Sequence, residues 1–239
     1  MSGARAGAEP RRPTVPLAAV ALTALFVAAL VTAQVISAKL LSVSLPVLGA
    51  VTAPGGTLAY AVTFFASDCL SELYGERYAR RVVNVAFGTN FVLLALVFAT
   101  IAAPAARGSV DPAAFETVLG LSGNVVLGSL AAYLLSQNWD VLAFHRIRAY
   151  TGGEALWLRN VGSTATSQLI DTVVFTLVAF AVAPAVLGVG AALPTSVLAS
   201  LIVGQYVLKL LIALVDTPFV YAAVALVRDR DADAAPAGA

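Results

Sequence analysis

Residues 82–103 read VVNVAFGTNFVLLALVFATIAA and contain no charged side chain. A helix of about 20 apolar residues is long enough to cross the hydrocarbon core of a bilayer. The run is rich in Val, Ala, Leu and Phe, and it lacks the period-2 alternation of a membrane β-barrel strand. Because every backbone N–H and C=O in lipid must find a partner within its own segment, the run predicts a transmembrane helix.

Similar apolar runs recur along the rest of the chain. They lie near residues 16–37, 57–75, 117–140, 163–184 and 195–227. Together with 82–103 they predict an all-α polytopic membrane protein, a bundle of about six transmembrane helices. No linker divides the apolar region, so we expect a single transmembrane domain over residues 16–227, flanked by tails at 1–15 and 228–239.

The overall composition supports the membrane assignment. Hydrophobic residues make up 60% of the 239 residues and charged residues 11%, whereas a soluble domain carries about 25% charged residues. The formal net charge of +1 gives no electrostatic reason to expect nucleic acid as a partner. The expected surroundings are therefore the lipid bilayer.

Positive charges indicate the orientation, because Lys and Arg in short loops favour the cytoplasmic side. Most arginines fall in the two tails and in the loops after the second and fourth predicted helices. They are Arg5, Arg11, Arg12, Arg77, Arg80, Arg81, Arg146, Arg148, Arg159, Arg228 and Arg230. The opposite side has Arg107, with Lys39 at the end of the first helix. This pattern predicts a protein of the cytoplasmic membrane with both termini in the cytoplasm. Because the first apolar run is longer than a signal-peptide core, we interpret it as the first transmembrane helix.

Residues 38–56 form the predicted connector between the first two helices. The segment is apolar but contains Pro46 and Gly49, and Pro54-Gly55-Gly56 is a strong turn signal. We interpret it as a connector on the outer side that is able to dip back toward the membrane.

Ionisable residues inside the predicted spans are the main functional signal, since a charge at mid-helix costs about 2.5–3.5 kcal/mol on insertion scales. Asp68 and Glu72 lie four residues apart, so both carboxylates share one helix face. Two ionised acids at this spacing repel each other, and a proton or a nearby cation is expected. The alternative is that Glu72 reaches cytoplasmic water and pairs with Arg77.

The fifth predicted helix carries a polar stripe. Gln168, Asp171, Thr172 and Phe175 recur at helical spacing, with Asp171 near the middle of the span. The stripe predicts a ligand contact, and the alternative is helix packing through hydrogen bonds between helices.

The last predicted helix carries Lys209 near mid-membrane and Asp216 about 10 Å further along the axis. We expect Lys209 to pair with a carboxylate across helices, either Asp171 or Asp216. The alternative is a buried ion pair with a structural role only.

One short pattern occurs twice. Ser136-Gln137-Asn138-Trp139-Asp140 and Ser167-Gln168-Leu169-Ile170-Asp171 share the form S-Q-x-x-D, each with Phe four residues later. The two copies lie at different predicted depths on helices of opposite direction. We interpret the repeat as a coincidence in a sequence of low diversity.

We expect the polar groups in the spans to converge on the interior of the bundle. The predicted substrate-binding residues are Asp68, Glu72, Gln168, Asp171, Phe175, Lys209 and Asp216. Carboxylates accept paired N–H donors and amides both donate and accept, while Phe175 and Tyr206 could stack on a planar ring. The set suits a heteroaromatic ligand with amidine-like N–H edges. The motifs H-E-x-x-H, G-x-S-x-G and the P-loop are absent, so we predict no enzymatic activity, no catalytic residue, no metal and no cofactor.

Two segments carry a resemblance to a known family. The first, Asp68-Cys-Leu-Ser-Glu72-Leu-Tyr-Gly75 followed by Ala79, resembles the signature D-x-x-x-E-x-Y-G-x-x-x-A of the queuosine precursor transporter family, also called the vitamin uptake transporter family. The second runs from Leu156-Trp-Leu-Arg159-Asn160 to Ser167-Gln-Leu-Ile-Asp171-Thr-Val-Val-Phe175. The likeness covers roughly residues 20–225.

The resemblance implies import of 7-deazaguanine precursors of the tRNA nucleoside queuosine, such as 7-cyano- and 7-aminomethyl-7-deazaguanine. One alternative is a substrate-capture subunit of an ATPase-driven vitamin importer. Another is a structural or regulatory membrane protein without a ligand. A homodimer is one assembly that the sequence allows.

Overall fold

The computed structural model describes residues 15–45, 49–152 and 156–234. The elements in chain order are α1 (Leu17–Ile36), β1 (Leu40–Leu45), β2 (Gly49–Pro54), α2 (Gly56–Tyr74), α3 (Glu76–Ala102), α4 (Pro112–Leu119), α5 (Leu121–Tyr150), α6 (Leu156–Leu177), a π-helical segment (Val178–Val182), α7 (Ala183–Leu187) and α8 (Thr195–Ala234).

Five helical segments among the described residues are long and apolar enough to cross a membrane. They are Leu17–Ile36, Glu76–Ala102, Pro112–Tyr150, Gly162–Leu187 and Thr195–Arg230. The remaining long helix, α2, has 19 residues but is more polar, because Asp68 and Glu72 interrupt its apolar sequence. The prediction of an all-α polytopic membrane protein is confirmed.

The helices extend beyond several of the predicted boundaries. Only Gly75 separates α2 from α3, and it has a φ of 84°, a conformation that glycine adopts without the steric penalty of a Cβ. Arg77 and Arg80 therefore lie in the first turns of α3 rather than in a loop. In the same way, α5 continues to Tyr150 and α8 to Ala234.

The connector between α1 and α2 forms an antiparallel hairpin, which the sequence analysis did not predict. Leu40 pairs with Pro54, Val43 with Val51 and Leu45 with Gly49. Residues 46–48, which include Pro46, lie outside the described residues. A two-stranded hairpin alone is marginally stable, so this one depends on the surface that it contacts.

That surface is α8. A Cβ added to Gly204 would lie 2.2 Å from the carbonyl oxygen of Thr52, so only glycine permits this close approach of strand and helix. One turn earlier, the Ser200 hydroxyl donates to Thr52 Oγ1 at 3.1 Å. The hairpin is thereby fixed against the start of α8.

Helix packing encloses a central space. α5 packs along α6 and α1 packs along α2, while α8 contacts both α2 and α6. The α5–α6 pair is antiparallel, and Trp139 Nε1 donates to Thr166 Oγ1 at 3.0 Å across it. A buried apolar cluster that includes Phe26, Leu30 and Leu70 joins α1, α2 and α3. These helices pack around a cavity.

The fifth predicted span, 163–184, is one helical path in which a π-helical segment follows α6. Pro184 has no N–H and cannot bond to the carbonyl one turn earlier. That carbonyl, Phe180 O, instead accepts a hydrogen bond from Leu193 N at 2.9 Å. The proline thus ties the end of this path to the segment that leads into α8.

Candidate functional site

A cavity of about 220 Å³ lies in the middle of the bundle. We call it the central cavity. The long helices α1, α2, α3, α5, α6 and α8 all contribute to its wall. Its polar lining residues are Tyr60, Thr63, Ser67, Ser129, Tyr133, Ser136, Gln137, Gln168, Asp171 and Lys209. Its apolar lining residues are Phe26, Leu30, Phe64, Val83, Phe87, Ala132 and Phe175.

An ion pair stands at one wall of the central cavity. Lys209 Nζ on α8 donates to Asp171 Oδ2 on α6 at 2.6 Å, and the two side chains are 4% and 27% exposed. The predicted cross-helix pairing of Lys209 is therefore confirmed, with Asp171 as the partner. Removing either charge would leave the other uncompensated in a buried position, which is strongly destabilising.

The ammonium of Lys209 has weaker contacts in addition to Asp171. It lies 3.4 Å from Thr172 Oγ1 and 5.5 Å from the ring centroid of Tyr60, a distance at which a cation interacts with an aromatic face. Tyr60, on α2, was not predicted as a site residue. Its ring lines the same cavity as the ion pair.

Other polar contacts between helices hold the cavity wall. Ser129 on α5 donates to Gln34 Oε1 on α1 at 3.2 Å. Ser136 on α5 lies 3.5 Å from Asp171 Oδ1. On the opposite side, Tyr133 of α5 stacks on Phe87 of α3 with ring centroids 4.3 Å apart. These contacts position side chains from separate helices around one space.

Two predicted residues besides the ion pair also line the central cavity. Gln168 lies one turn before Asp171 and is partly exposed to the cavity. Phe175 is 2% exposed and packs edge-to-face against Phe180 at 5.8 Å. Tyr206, considered as a stacking residue, is not among the lining residues, and its hydroxyl donates to Ala165 O at 3.2 Å.

The expected convergence of all the polar groups is wrong for the remaining acids. Asp68 and Glu72 are exposed and line a second, smaller space on the outside of α2 and α8. We call it the peripheral groove. It has a volume of about 200 Å³ and is lined by Asp68, Ser71, Glu72, Thr217, Val220 and Tyr221. Asp216 lies next to Thr217 and also does not line the central cavity.

The acids of the peripheral groove differ from Asp171 in their contacts. Neither Asp68 nor Glu72 forms an ion pair with any residue that the structure describes. The expected alternative partner of Glu72, Arg77, is not bound to it, although Arg228 donates to the backbone carbonyl of Glu72 at 3.2 Å. The groove therefore differs chemically from the cavity, where the charges are paired.

Ser136 and Gln137 were not predicted as site residues, although a repeated pattern in the sequence contains both of them. The repeat S-Q-x-x-D places Gln137 and Gln168 on the antiparallel helices α5 and α6, and both line the central cavity. Ser136, from the first copy, contacts Asp171 from the second. The interpretation of the repeat as a coincidence overlooked this placement.

A larger space lies outside the bundle, between the hairpin and α4. It measures about 710 Å³ and is lined almost entirely by apolar side chains, with Lys39 at its edge. A ligand site needs a few placed polar groups to fix orientation. The central cavity provides them and this outer space does not, so the central cavity is the candidate site.

Comparison with known proteins shows the family of the chain. The family model described as "Putative vitamin uptake transporter" matches residues 54–223. A Bacillus subtilis protein named "Probable queuosine precursor transporter" is 37% identical over 177 residues, 74% of this chain and 73% of that protein.

A Haemophilus influenzae protein of the same name is 24% identical over 125 residues, about half of each chain. No solved structure is significantly similar to the chain. The family match covers α2 and α3, both copies of the S-Q-x-x-D repeat and Lys209. The chain therefore belongs to the vitamin uptake transporter family, and it is a multi-pass membrane protein of that transporter family.

Proposed function

We propose that this protein imports 7-deazaguanine precursors of queuosine and binds them in the central cavity. The observation that carries the proposal is the buried Asp171–Lys209 pair on the wall of a cavity that six helices enclose. Ionisable groups inside membrane proteins are expensive and usually mark a substrate or ion path. The names of the two relatives support the same substrate class.

The cavity chemistry fits a small planar heterocycle with N–H donors. A 7-deazaguanine presents adjacent N–H groups, which a carboxylate such as Asp171 accepts in pairs. The amide of Gln168 can donate and accept beside it, and the rings of Phe175 and Tyr60 offer apolar faces. The volume of about 220 Å³ is below the usual range of about 300–1,000 Å³ for ligand pockets, which favours a compact ligand.

We make a separate proposal for the three predicted acids that lie outside the central cavity, two of which line the peripheral groove. Asp68, Glu72 and Asp216 do not line the central cavity, so they do not contact a ligand bound there. We propose that these acids bind the substrate at a second position along the transport path, next to α2 and α8. A polar groove beside two helices supports this proposal, since unpaired acids in a membrane helix need water or a ligand.

We also propose that the protein lies in the cytoplasmic membrane with both termini in the cytoplasm. The arginines of α3, α5 and α8 support this orientation, and α2 must then cross the bilayer despite its polar residues. Reporter fusions that are active only outside the cytoplasm should be silent at both ends. An active fusion at either end would refute the topology. The homodimer remains a prediction.

Uptake by the purified protein tests the proposed function. Proteoliposomes that contain only this protein should accumulate radiolabelled 7-cyano-7-deazaguanine above protein-free liposomes. The Gln168→Leu variant should accumulate much less, and Leu169→Ala, which changes a neighbour outside the cavity lining, should match the wild type. Binding without accumulation would favour the ATPase-dependent capture subunit. If the folded protein shows neither, the proposed substrate class is wrong.

A further inference from the structure

The two carboxylate oxygens of Asp171 are occupied very differently. Oδ2 accepts a hydrogen bond from the Lys209 ammonium at 2.6 Å, whereas the contact of Oδ1 within the described part of the chain is the Ser136 hydroxyl at 3.5 Å, the limit of a hydrogen bond. A ligand that presents two adjacent N–H groups needs both oxygens of one carboxylate. In this structure Lys209 already holds one of them.

Among the residues that the structure describes, Asp171 is the one carboxylate within ion-pair distance of Lys209. Its side chain is 4% exposed, and its remaining neighbours are the Thr172 hydroxyl at 3.4 Å and the Tyr60 ring at 5.5 Å. The Thr172 hydroxyl already donates to Gln168 O at 2.9 Å. A buried ammonium without a counter-ion is so costly that the group neutralises instead.

We propose that the ligand displaces Lys209 from Asp171 and that Lys209 then releases one proton, so that substrate binding is linked to proton release. The inference rests on the proposed function, because it concerns a ligand of the central cavity. One N–H bond of the ammonium breaks, its electron pair stays on the amine nitrogen, and the proton passes to water in the cavity. Asp171 stays ionised and accepts the ligand N–H groups in place of the lysine.

Lys209 is the basic side chain among the lining residues of the central cavity. The ionisable side chains that face the pair within the cavity are Tyr60 from α2 and Tyr133 from α5, and phenols stay neutral near pH 7. The described lining residues of α1 and α3 are apolar, and those of α5 other than Tyr133 are not ionisable. Asp216 on α8 lies about 10 Å along the axis from Lys209, and Asp68 on α2 belongs to the peripheral groove.

The proposal predicts how the affinity for the ligand changes with pH. Because binding releases a proton, a higher pH favours the bound state, and the dissociation constant should fall roughly tenfold for each pH unit while free Lys209 is charged. An ion pair that served only to join α6 and α8 would give no such dependence.

The test uses the full chain in lipid nanodiscs and radiolabelled 7-cyano-7-deazaguanine, whose ring carries no charge. Binding is measured between pH 5.5 and 7.5, and proton release is followed with a pH indicator in weak buffer. We expect a dissociation constant that falls about tenfold per pH unit and close to one proton released per ligand bound.

Two variants separate this mechanism from a structural role. In Lys209→Arg the guanidinium keeps the charge and cannot discharge, so binding should be weak at every pH with no proton release. The double variant Lys209→Met/Asp171→Asn removes both charges and should release no proton on any binding that remains. Lys39→Arg alters the other lysine, which is exposed outside the central cavity, and should behave as the wild type.

The outcomes distinguish the two proposals. Wild-type binding with a pH-independent dissociation constant and no proton release would overturn the inference and leave the proposed function intact. Proton release that persists in Lys209→Arg would overturn it too, because the proton would come from another group. No binding at any pH by folded protein would remove the proposed function, and the inference with it.

Discussion

The central cavity and the peripheral groove both contain carboxylates that lie within membrane helices, but the two regions treat those charges differently. In the cavity, which six helices line, Asp171 is paired with Lys209 at 2.6 Å. In the groove, Asp68 and Glu72 are exposed on the outside of α2 and form no ion pair with a described residue. An acid within a membrane helix can therefore be buried beside a counter-ion, or it can be exposed to water.

The difference between the two regions predicts which substitutions should have the larger effect. Removing one member of a buried pair leaves an unpaired charge and affects folding. Neutralising an exposed acid leaves nothing unpaired, and its effect is limited to whatever it contacts during function.

Lys209→Ala should lower the free energy of unfolding by about 3–5 kcal/mol, because Asp171 is left buried without its cation. The double variant Lys209→Ala/Asp171→Ala should recover part of this loss. Thermal unfolding and folded yield in detergent measure both. Lys39→Ala is the matched control, since Lys39 is exposed. A double variant no more stable than Lys209→Ala would show that the pair is not the cause.

Gln168→Leu should reduce precursor uptake roughly tenfold, since the ligand would lose a polar partner in a buried site at a cost of about 1–3 kcal/mol. The side chain of Gln168 faces the cavity, so its folded yield should stay close to that of the wild type. Uptake normalised to folded protein in the membrane is the readout. Uptake that is unchanged in Gln168→Leu would place the ligand elsewhere.

Asp68→Asn and Glu72→Gln should each reduce uptake by roughly fivefold or less, as expected for exposed charges worth up to about 1 kcal/mol. The sequence alone predicted a larger loss of about tenfold, from a charged hydrogen bond to the ligand. The same uptake assay decides between the two. A loss of tenfold or more with normal insertion would mean that the groove binds the substrate as strongly as the sequence alone predicted.

Glu76→Gln should change the free energy of unfolding by less than about 1 kcal/mol. Glu76 pairs with Arg80 at 2.5 Å, as short a contact as Lys209–Asp171, but the two side chains are 78% and 57% exposed. Comparison with Lys209→Ala in one unfolding assay measures what burial adds to an ion pair. Similar losses for both variants would contradict the contrast between exposed and buried charges.

Much of the site was predictable residue by residue. Spacing on the fifth helix identified Gln168, Asp171 and Phe175, and the cost of a mid-membrane cation required a partner for Lys209. The helical period alone did not show that Tyr60 lines the same cavity, because its neighbours on α2 are also apolar or aromatic. Ser136 and Gln137 had a signal in the S-Q-x-x-D repeat, which gains meaning only when α5 and α6 are packed antiparallel.

The hairpin was also not predicted from the sequence, for a different reason. Ser42 and Ser44 alternate with Leu41 and Val43, which is a period-2 signal, but a short apolar run does not separate strand from buried helix. The strands persist because Gly204 lets Thr52 approach α8. That contact joins residues about 150 positions apart, and nothing in the local sequence contains it.

The sequence by itself determined the membrane class, the approximate spans and the need for a counter-ion at Lys209. Each of these follows from local quantities, namely the length of an apolar run and the cost of a charge within it. The tertiary structure alone decided that Asp171 faces the central cavity and Asp68 the outside. In a soluble helix, one polar face reveals which side meets water, but lipid is as apolar as the bundle interior. The rotation of each helix about its axis is therefore fixed by the neighbours it packs against.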